Sequence, residues 1–281
     1  MRTAERSNLM DTKCISIIIP ALNEERFLPE LLESLSRQSN TNFEVVIVDG
    51  KSKDKTVERA KEFEKKLPKL TILVADHANL PYQRNFGVKQ AQGDWFVFLD
   101  ADNVMMPYAV ERIIAFIEEK NPVFFSCWNR PDSDTISDSI FALFVNVIME
   151  GSILVKRPFS PGPFTAVRKD VFNKIGGYTD GLKWGEDVDF STKAEKAGYP
   201  FSILREVLYV WSMRRLRSEG KLKFIQQSAK AGFYVLLTNK ALTTGYEMGG
   251  HLYGKKRKQV KPTALKKFTT NLGKLMREVF E

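Results

Sequence analysis

"DWFVFLDAD", residues 94–102, decides the fold. Five apolar side chains, Trp95 to Leu99, run straight into two carboxylates, Asp100 and Asp102, one residue apart. An apolar run without polar alternation reads as a strand covered on both faces. In extended chain the two acids point the same way, where their repulsion is costly unless a cation sits between or beyond them. A hard divalent cation, bound through carboxylate oxygens with positions left open for a diphosphate, meets that need. The ordinary alternative is that one acid caps the helix starting near Pro107 and "YAVERIIAFIEE".

The same kind of strand recurs upstream as "CISIIIP" (14–20), "FEVVIVD" (43–49) and "LTILVA" (70–75). Between these strands the period changes. Phe27, Leu28, Leu31, Leu32 and Leu35 have helical spacing over 24–37, "DKTVERAKEFEKK" (54–66) is a helix with Asp54 as N-cap, and 81–91 is a short helix. The order βαβαβαβ predicts an α/β fold: a doubly wound, mainly parallel sheet with helices on both faces. Ligands of such sheets collect at the carboxyl ends of the strands. Those ends read Pro20-Ala21-Leu22-Asn23-Glu24, Asp49-Gly50-Lys51-Ser52 and Asp100-Ala101-Asp102. Each is polar or acidic, which suits a metal ion with a nucleotide. No glycine-rich phosphate loop of the G-x-G-x-x-G or G-x-x-x-x-G-K-[ST] kind follows any strand, so a cation and basic side chains are expected to neutralise phosphate.

With 281 residues, 43% hydrophobic and 27% charged, the chain has material for one large core or two smaller ones. Its net charge of +9 is uneven: residues 255–281 hold nine Lys and Arg against Glu278 and Glu281. A basic tail points to an anionic surface: phospholipid, nucleic acid or an acidic partner. Cys14 and Cys127 suggest reduced thiols in a cytoplasmic compartment. Residues 1–13 read as a frayed terminus without signal-peptide character. The longest apolar run, Ile140 to Val155, is broken by Asn146 and Glu150 and falls short of the ~20 residues of a spanning helix. A chain that does not cross a bilayer is the expectation.

Four ordered segments, spanning about residues 15–220, carry a resemblance. They are "SIIIPALNEERFLPELLESL", "EVVIVDGKSKDKT", "QRNFGVKQAQGDWFVFLDAD" and "GPFTAVRKDVFNKIGGYTDGLKWGEDVDFSTKAEKAGY". Together they resemble a family 2 glycosyltransferase of the GT-A fold. The resemblance implies a nucleotide-sugar half over 14–130, an acceptor-binding and catalytic half over 131–215, and a basic helical region over 216–281. By the same resemblance Pro20, Ala21, Asn23 and Glu24 border the nucleoside, and Asp49, next to Gly50, accepts a hydrogen bond from the base. Arg84 lies near the diphosphate or base. Asp100, Ala101 and Asp102 face the ribose and a Mn²⁺ or Mg²⁺ ion, with Asp102 the first choice as direct ligand.

Asp187 in "GEDVDF" is then the catalytic base, with Glu186 holding the acceptor or the loop, and Arg214 and Arg215 contact the leaving diphosphate. Capping is the ordinary alternative for Glu186 and Asp187; Asp189 is expected to begin or cap the helix over 190–197. For Arg214 and Arg215 the alternative is a solvated helix start. Many relatives carry a metal-binding histidine where this chain has Ser212; His251 is an outside candidate for that role, and His77 reads as a solvent-facing loop residue. The implied reaction is inverting transfer from a UDP- or GDP-sugar: one carboxylate takes the acceptor proton while a cation stabilises the leaving nucleoside diphosphate. The chain lacks the Q-x-x-R-W motif of processive synthases, which favours single-sugar transfer.

Residues 131–163 are rich in bulky apolar groups. Ile136, Ile140, Leu143, Phe144, Val147 and Ile148 recur at helical spacing, predicting a core helix or, alternatively, a greasy surface for a lipid-linked acceptor such as a polyprenyl phosphate. Leu265, Phe268, Leu272, Leu275, Met276 and Val279 also form one helical face. Behind the Lys255-Lys256-Arg257-Lys258 cluster, that face suits peripheral attachment to the inner face of an anionic membrane, packing back on the domain, or a homodimer contact. Three other functions compete. A sugar nucleotidylyltransferase would place a Gly-x-Gly-Thr-Arg loop where Ala21-Leu22-Asn23-Glu24 stands. A nucleic-acid-binding protein would bind with a steep salt dependence and has no use for Asp49, Asp102 and Asp187. An inactive glycosyltransferase-like scaffold would keep the motifs without turnover.

Overall fold

The computed structural model describes residues 14–183 and 185–219. The first half follows the expected alternation: β1 (Ile15–Ala21), α1 (Leu28–Ser36), β2 (Phe43–Asp49), α2 (Thr56–Lys61), β3 (Leu70–Val74), α3 (Leu80–Val88) and β4 (Trp95–Leu99). The second half adds β5 (Val104–Met105), α4 (Ala109–Lys120), β6 (Phe124–Pro131), α5 (Ile136–Leu154), β7 (Phe164–Arg168), α6 (Lys169–Lys174), α7 (Glu186–Lys196), β8 (Phe201–Trp211) and α8 (Arg214–Glu219). One eight-stranded sheet runs in the order β3-β2-β1-β4-β7-β6-β8-β5. The pairings β2–β3, β1–β2, β1–β4 and β6–β8 are parallel, while β4–β7, β6–β7 and β5–β8 are antiparallel. The sheet is thus mainly parallel and mixed, the antiparallel pairs arising after β4.

Every residue of β1, β2 and β4 is buried, as continuous apolar runs require. Side-chain alternation divides the strands between two layers. Ile15, Ile17, Ile19, Val45, Ile47, Trp95, Val97 and Leu99 pack with Leu28, Leu31, Leu32 and Leu35 of α1 and with Ile113 and Ile117 of α4. Ile18, Val46, Val48, Phe96 and Phe98 face the other way, against Phe172, Phe190 and Ala194. Gly87 lets α3 sit close to the sheet: a Cβ there would lie 2.7 Å from Ile18 Cγ2 and 2.9 Å from Val48 Cγ2. Because β1, β2 and β4 are parallel, their carboxyl ends share one rim.

Several expected boundaries shift. α1 begins at Leu28 and not at 24, and α2 ends at Lys61 and not at 66. The strand ends explain the first change, since residues 22–27 are used to build the rim. α5 overturns the expectation of a core helix. Of its periodic apolar side chains, Ile136, Ile140, Phe144, Val147 and Ile148 are exposed and only Leu143 packs against the core, while its protein side buries the polar Asp138, Asn146 and Glu150 beside Ala142, Val145 and Met149. By length and composition it is also the one helix among the described residues long and apolar enough to cross a bilayer. Cys14 and Cys127 are free thiols. The 1–13 terminus, the helix expected over 265–279, and His251 lie outside the described residues.

Candidate active site

The rim is assembled from loops that hold one another. Asn23 and Lys51 both adopt left-handed backbone, φ 54° and 64°, at the turns following β1 and β2. The Asn23 N–H donates to Ser52 Oγ (2.8 Å), and Asn23 Oδ1 accepts from the Lys53 N–H (2.7 Å). The Glu24 N–H donates to Thr56 Oγ1 (2.7 Å). Asp49, 2% exposed, accepts from the Ser52 N–H (2.9 Å) and from Ser52 Oγ. A carboxylate has about four acceptor sites, so two remain for a ligand. Asp54 accepts from the Thr56 N–H (3.0 Å) and the Glu25 N–H (3.1 Å), tying the first loop to the start of α2; the N-cap itself is Lys55 and not Asp54 as expected.

Gln83 ties these strand ends from below. Its Nε2 donates to Ala21 O (3.0 Å) and Val48 O (2.7 Å), while the Gly50 N–H donates to Ala21 O (2.8 Å). Pro20, Ala21, Gly50 and Ala101 are all buried around this knot.

Arg214, at the start of α8, holds the outer side. Its Nη1 and Nη2 reach the two oxygens of Glu24 at 2.8 and 2.6 Å, and its Nε is 2.8 Å from Asp102 Oδ2. The guanidinium lies over the Phe27 ring, 4.5 Å from its centroid. Burial pushes Glu24 up to about 7 in spite of this pairing. A solvated helix start therefore does not describe Arg214; Arg215 follows it, half-buried. Among the described residues no three His, Cys, Asp or Glu side chains gather to hold a metal, and Ser212 is buried with no hydrogen-bond partner for its Oγ. The site fits a cation that takes one or two carboxylates and completes its shell from ligand oxygens and water. For such an ion Arg214 must release Asp102 Oδ2.

Arg84, fully buried in the middle of α3, holds the inner side. Its Nη2 donates to Asp100 Oδ1 (3.2 Å) and to Gly162 O (2.9 Å), and its Nη1 to Glu186 Oε1 (3.5 Å). Its cationic carbon stands 4.9 Å from the Tyr178 ring centroid. One guanidinium thus joins the Asp100-x-Asp102 turn to the Glu186-Asp187 turn. Burial pushes Asp100 up to about 6, with Asp102 adding and Arg84 opposing. Burial and then the Glu186 charge push Asp187 up to about 7.

Gly185, at φ 76°, is the N-cap of α7, so Glu186 and Asp187 open that helix. Asp187 Oδ1 accepts its neighbour's Val188 N–H (2.8 Å). A Cβ on Gly162 would lie 3.7 Å from both Asp187 Oδ2 and Glu186 Oε1, which puts a side-chain-free segment opposite the two acids. Asp189 neither begins nor caps a helix at 190, because α7 starts at Glu186. It accepts from Thr179 Oγ1 (2.7 Å) and pairs with Lys193 (3.3 Å) within the first turns. His77 is exposed and stacks on Tyr82, ring centroids 4.3 Å apart.

The structure therefore brings Glu24, Asp102 and Arg214 into one cluster, and Asp100, Glu186 and Arg84 into another beside Asp187. Sequence reasoning missed Gln83, Gly162, Phe27 and Tyr178. The "QRN" triplet was the available signal: Asn85 Nδ2 donates to Tyr178 O (2.8 Å) and Asp180 Oδ1 (2.8 Å), so the triplet as a whole binds three loops.

A mainly parallel sheet with an acidic rim, and a pair of acids opening a helix beside it, place the chain among α/β proteins that carry their site at the carboxyl ends of the strands. The match to the family model "Glycosyl transferase family 2" over residues 16–176 is more specific, and the chain belongs to that family. It is 32% identical over 202 residues to an uncharacterized glycosyltransferase of Haemophilus influenzae, covering 69% of this chain and 67% of that protein. It is 29% identical over 206 residues to the Staphylococcus aureus poly(ribitol-phosphate) β-N-acetylglucosaminyltransferase TarS, covering 71% of this chain and 35% of TarS. Among solved structures, TarS 1–349 in complex with UDP-GlcNAc superposes with a TM-score of 0.59 at 25% identity, over 71% of this chain and 58% of that one. A Pyrobaculum calidifontis mannosyltransferase in complex with GDP-Man and Mn²⁺ gives a TM-score of 0.62 at 19% identity, over 79% of this chain and 65% of that one, a likeness of fold. The fold is accordingly GT-A.

Proposed function

We propose that the chain moves one sugar, with inversion, from a nucleoside-diphosphate sugar to an acceptor hydroxyl. The observation that carries this reading is the Arg84 bridge: Asp100 on one side and Glu186 on the other bind the same buried guanidinium. That bridge holds the proposed donor rim and the proposed acceptor acids side by side. Pro20, Ala21, Asn23 and Glu24 border the nucleoside, and Asp49, oriented by Ser52, accepts from the base. Asp102, with Asp100 beside it, would hold a Mn²⁺ or Mg²⁺ ion, which when bound supplies positive charge to the leaving diphosphate. The donors of TarS and of the Pyrobaculum enzyme make UDP- and GDP-sugars the first to try.

Asp187 takes the acceptor proton. A carboxylate raised to about 7 accepts protons far better than an ordinary one and is still ionised in mildly alkaline solution. Glu186, held by Arg84, fixes the start of α7 and so aims Asp187 at the space over Gly162. Arg84, fully buried, is a positioning residue and not a phosphate contact. Arg214 has the planar fork for bidentate phosphate contact, and its fit to two carboxylates would be exchanged for the diphosphate on binding.

The test is a thermal-shift panel of UDP-, GDP- and dTDP-sugars with Mn²⁺ or Mg²⁺, followed by turnover with the sugar that binds. A donor present at 100 times its dissociation constant stabilises by about 2.7 kcal/mol. Stabilisation by one nucleotide series together with a metal supports the proposal. No stabilisation by any of them favours the inactive scaffold.

A further inference from the structure

α5 buries Ala142, Val145 and Met149 but leaves its longest apolar stripe in the open. A helix on the surface of a water-soluble domain turns its apolar stripe inward and its polar face to solvent. Here the large apolar side chains face out: Ile136 is 79% exposed, Ile140 61%, Phe144 56% and Leu154 74%, with Val147 and Ile148 at 40%. These positions, with Gly151, fall on one side of the helix. A Cβ on Gly151 would touch nothing within 4 Å.

The polar groups are on the protein side, and each is bound there. Asp138 accepts from Ser133 Oγ and pairs with Arg217 (3.3 Å). Asn146 exchanges hydrogen bonds with Asn129, accepting its Nδ2 (2.8 Å) and donating to its carbonyl (3.0 Å). Glu150 accepts from Trp128 Nε1 (3.1 Å) and Arg205 Nε (3.1 Å). Buried polar groups are costly unless partnered in this way, so these bonds fix the orientation of the helix. The apolar stripe cannot simply roll inward.

We infer that α5 lies in the interface of an anionic phospholipid bilayer, parallel to its plane, with the Ile136–Val155 stripe in the acyl boundary. Charge is the first reason. The two acids of α5, Asp138 and Glu150, are buried, so the outer face carries no exposed carboxylate, and Lys156 and Arg157 are exposed just beyond its end. Residues 220–281 add 13 Lys and Arg against three Glu, whereas residues 1–219 are nearly neutral. That excess is attracted to an anionic surface at roughly 1 kcal/mol per basic residue near it. Size is the second reason. A 19-residue helix face is about 28 Å by 10 Å, roughly 300 Å², well short of the ~800 Å² per partner of a stable dimer.

The location is useful. The loop that follows α5 turns back on the helix end, where the Arg157 N–H donates to Ser152 O (2.9 Å), and continues to Gly162 opposite Glu186 and Asp187, so one short segment joins the exposed stripe to the acids.

The test uses the full chain in vesicle flotation, with phosphatidylcholine alone and with added phosphatidylserine. Wild type is expected to float with the phosphatidylserine vesicles. The double variant Ile140→Asp/Phe144→Asp, at positions too exposed to disturb packing, is expected to lose at least tenfold in partition, about the effect of exposing one buried apolar side chain. The circular dichroism and donor-induced thermal shift of this variant should match wild type, which separates failure here from failure of the glycosyl-transfer reading. Equal flotation of variant and wild type would overturn the inference and assign binding to the basic tail. So would a wild type that never floats, whether sedimentation reveals a dimer broken by the substitutions or a monomer whose stripe is covered by residues 220–281.

Discussion

Two arginines hold the candidate site, and they do so differently. Arg84 is fully buried, walled by Tyr178 and committed to Asp100, Glu186 and a backbone carbonyl. Arg214 lies near the surface, its side chain 11% exposed, over Phe27 and between Glu24 and Asp102. The inner arginine cannot leave without unpairing two half-buried acids at once. The outer one can exchange partners with an arriving anion. The difference separates a fixed frame from an adjustable gate within one site.

The largest effect should come from breaking the frame. Arg84→Met is expected to cost about 3 kcal/mol in urea unfolding, the low end for removing one partner of a buried ion pair, because Asp100 is one-third exposed and water screens part of the loss. Transfer should disappear with it. If Arg84→Met were as stable as wild type, the guanidinium would not be the strut described here.

The protonation of Asp187 gives the next effect. With Asp187 raised to about 7, kcat/KM is expected to fall about tenfold per pH unit on the acid side of that value. The stability effect has the opposite direction. A carboxyl raised by burial binds its proton more tightly folded than unfolded, so its contribution is lost as pH rises from about 4 through 7. Asp187→Asn should therefore melt at or above the wild-type temperature at pH 8 and lose that advantage below pH 4. A pH profile flat between 5 and 8 would remove Asp187 as the base.

Gly87→Ala probes the same frame through its foundation. The added methyl meets Ile18 and Val48 and should cost about 1–3 kcal/mol by lifting α3, and with it Arg84, from the sheet. Of the outer cluster only Arg214, on α8, is independent of α3, since Gln83 and Arg84 tie the segments that carry Glu24 and Asp102 to that helix. The smallest effect near pH 6 is expected from Arg214→Gln. Glu24, already pushed up to about 7, can protonate when its partner is removed. The stability gap from wild type should widen as pH rises beyond 7, measured as melting temperature against pH. A gap independent of pH would mean that Glu24 and Arg214 are not paired.

Much of this was legible in the sequence. Trp95 to Leu99 could only be a doubly covered strand, and parallel strands must bring Asp49 and Asp102 to one rim. The Arg84 bridge was not legible, because its partner Glu186 lies 102 positions away and nothing local marks the pair. Gln83 and Gly162 were missed for the same reason, since each acts through distant backbone. The inversion of α5 shows a different limit. The spacing of Ile136, Ile140 and Phe144 identifies a helix and its stripe, but spacing has no inside or outside. That direction is set by Asn129, Arg205 and Arg217, which belong to β6, β8 and α8.

The division of labour across the Arg84 bridge is tested most directly by titrating the stabilising nucleotide-sugar, with its metal, into Asp102→Ala and Asp187→Asn by calorimetry. Asp187→Asn should bind the donor as wild type does and transfer nothing, while Asp102→Ala should lose metal-dependent binding. Equal loss of donor affinity in both variants would contradict the account.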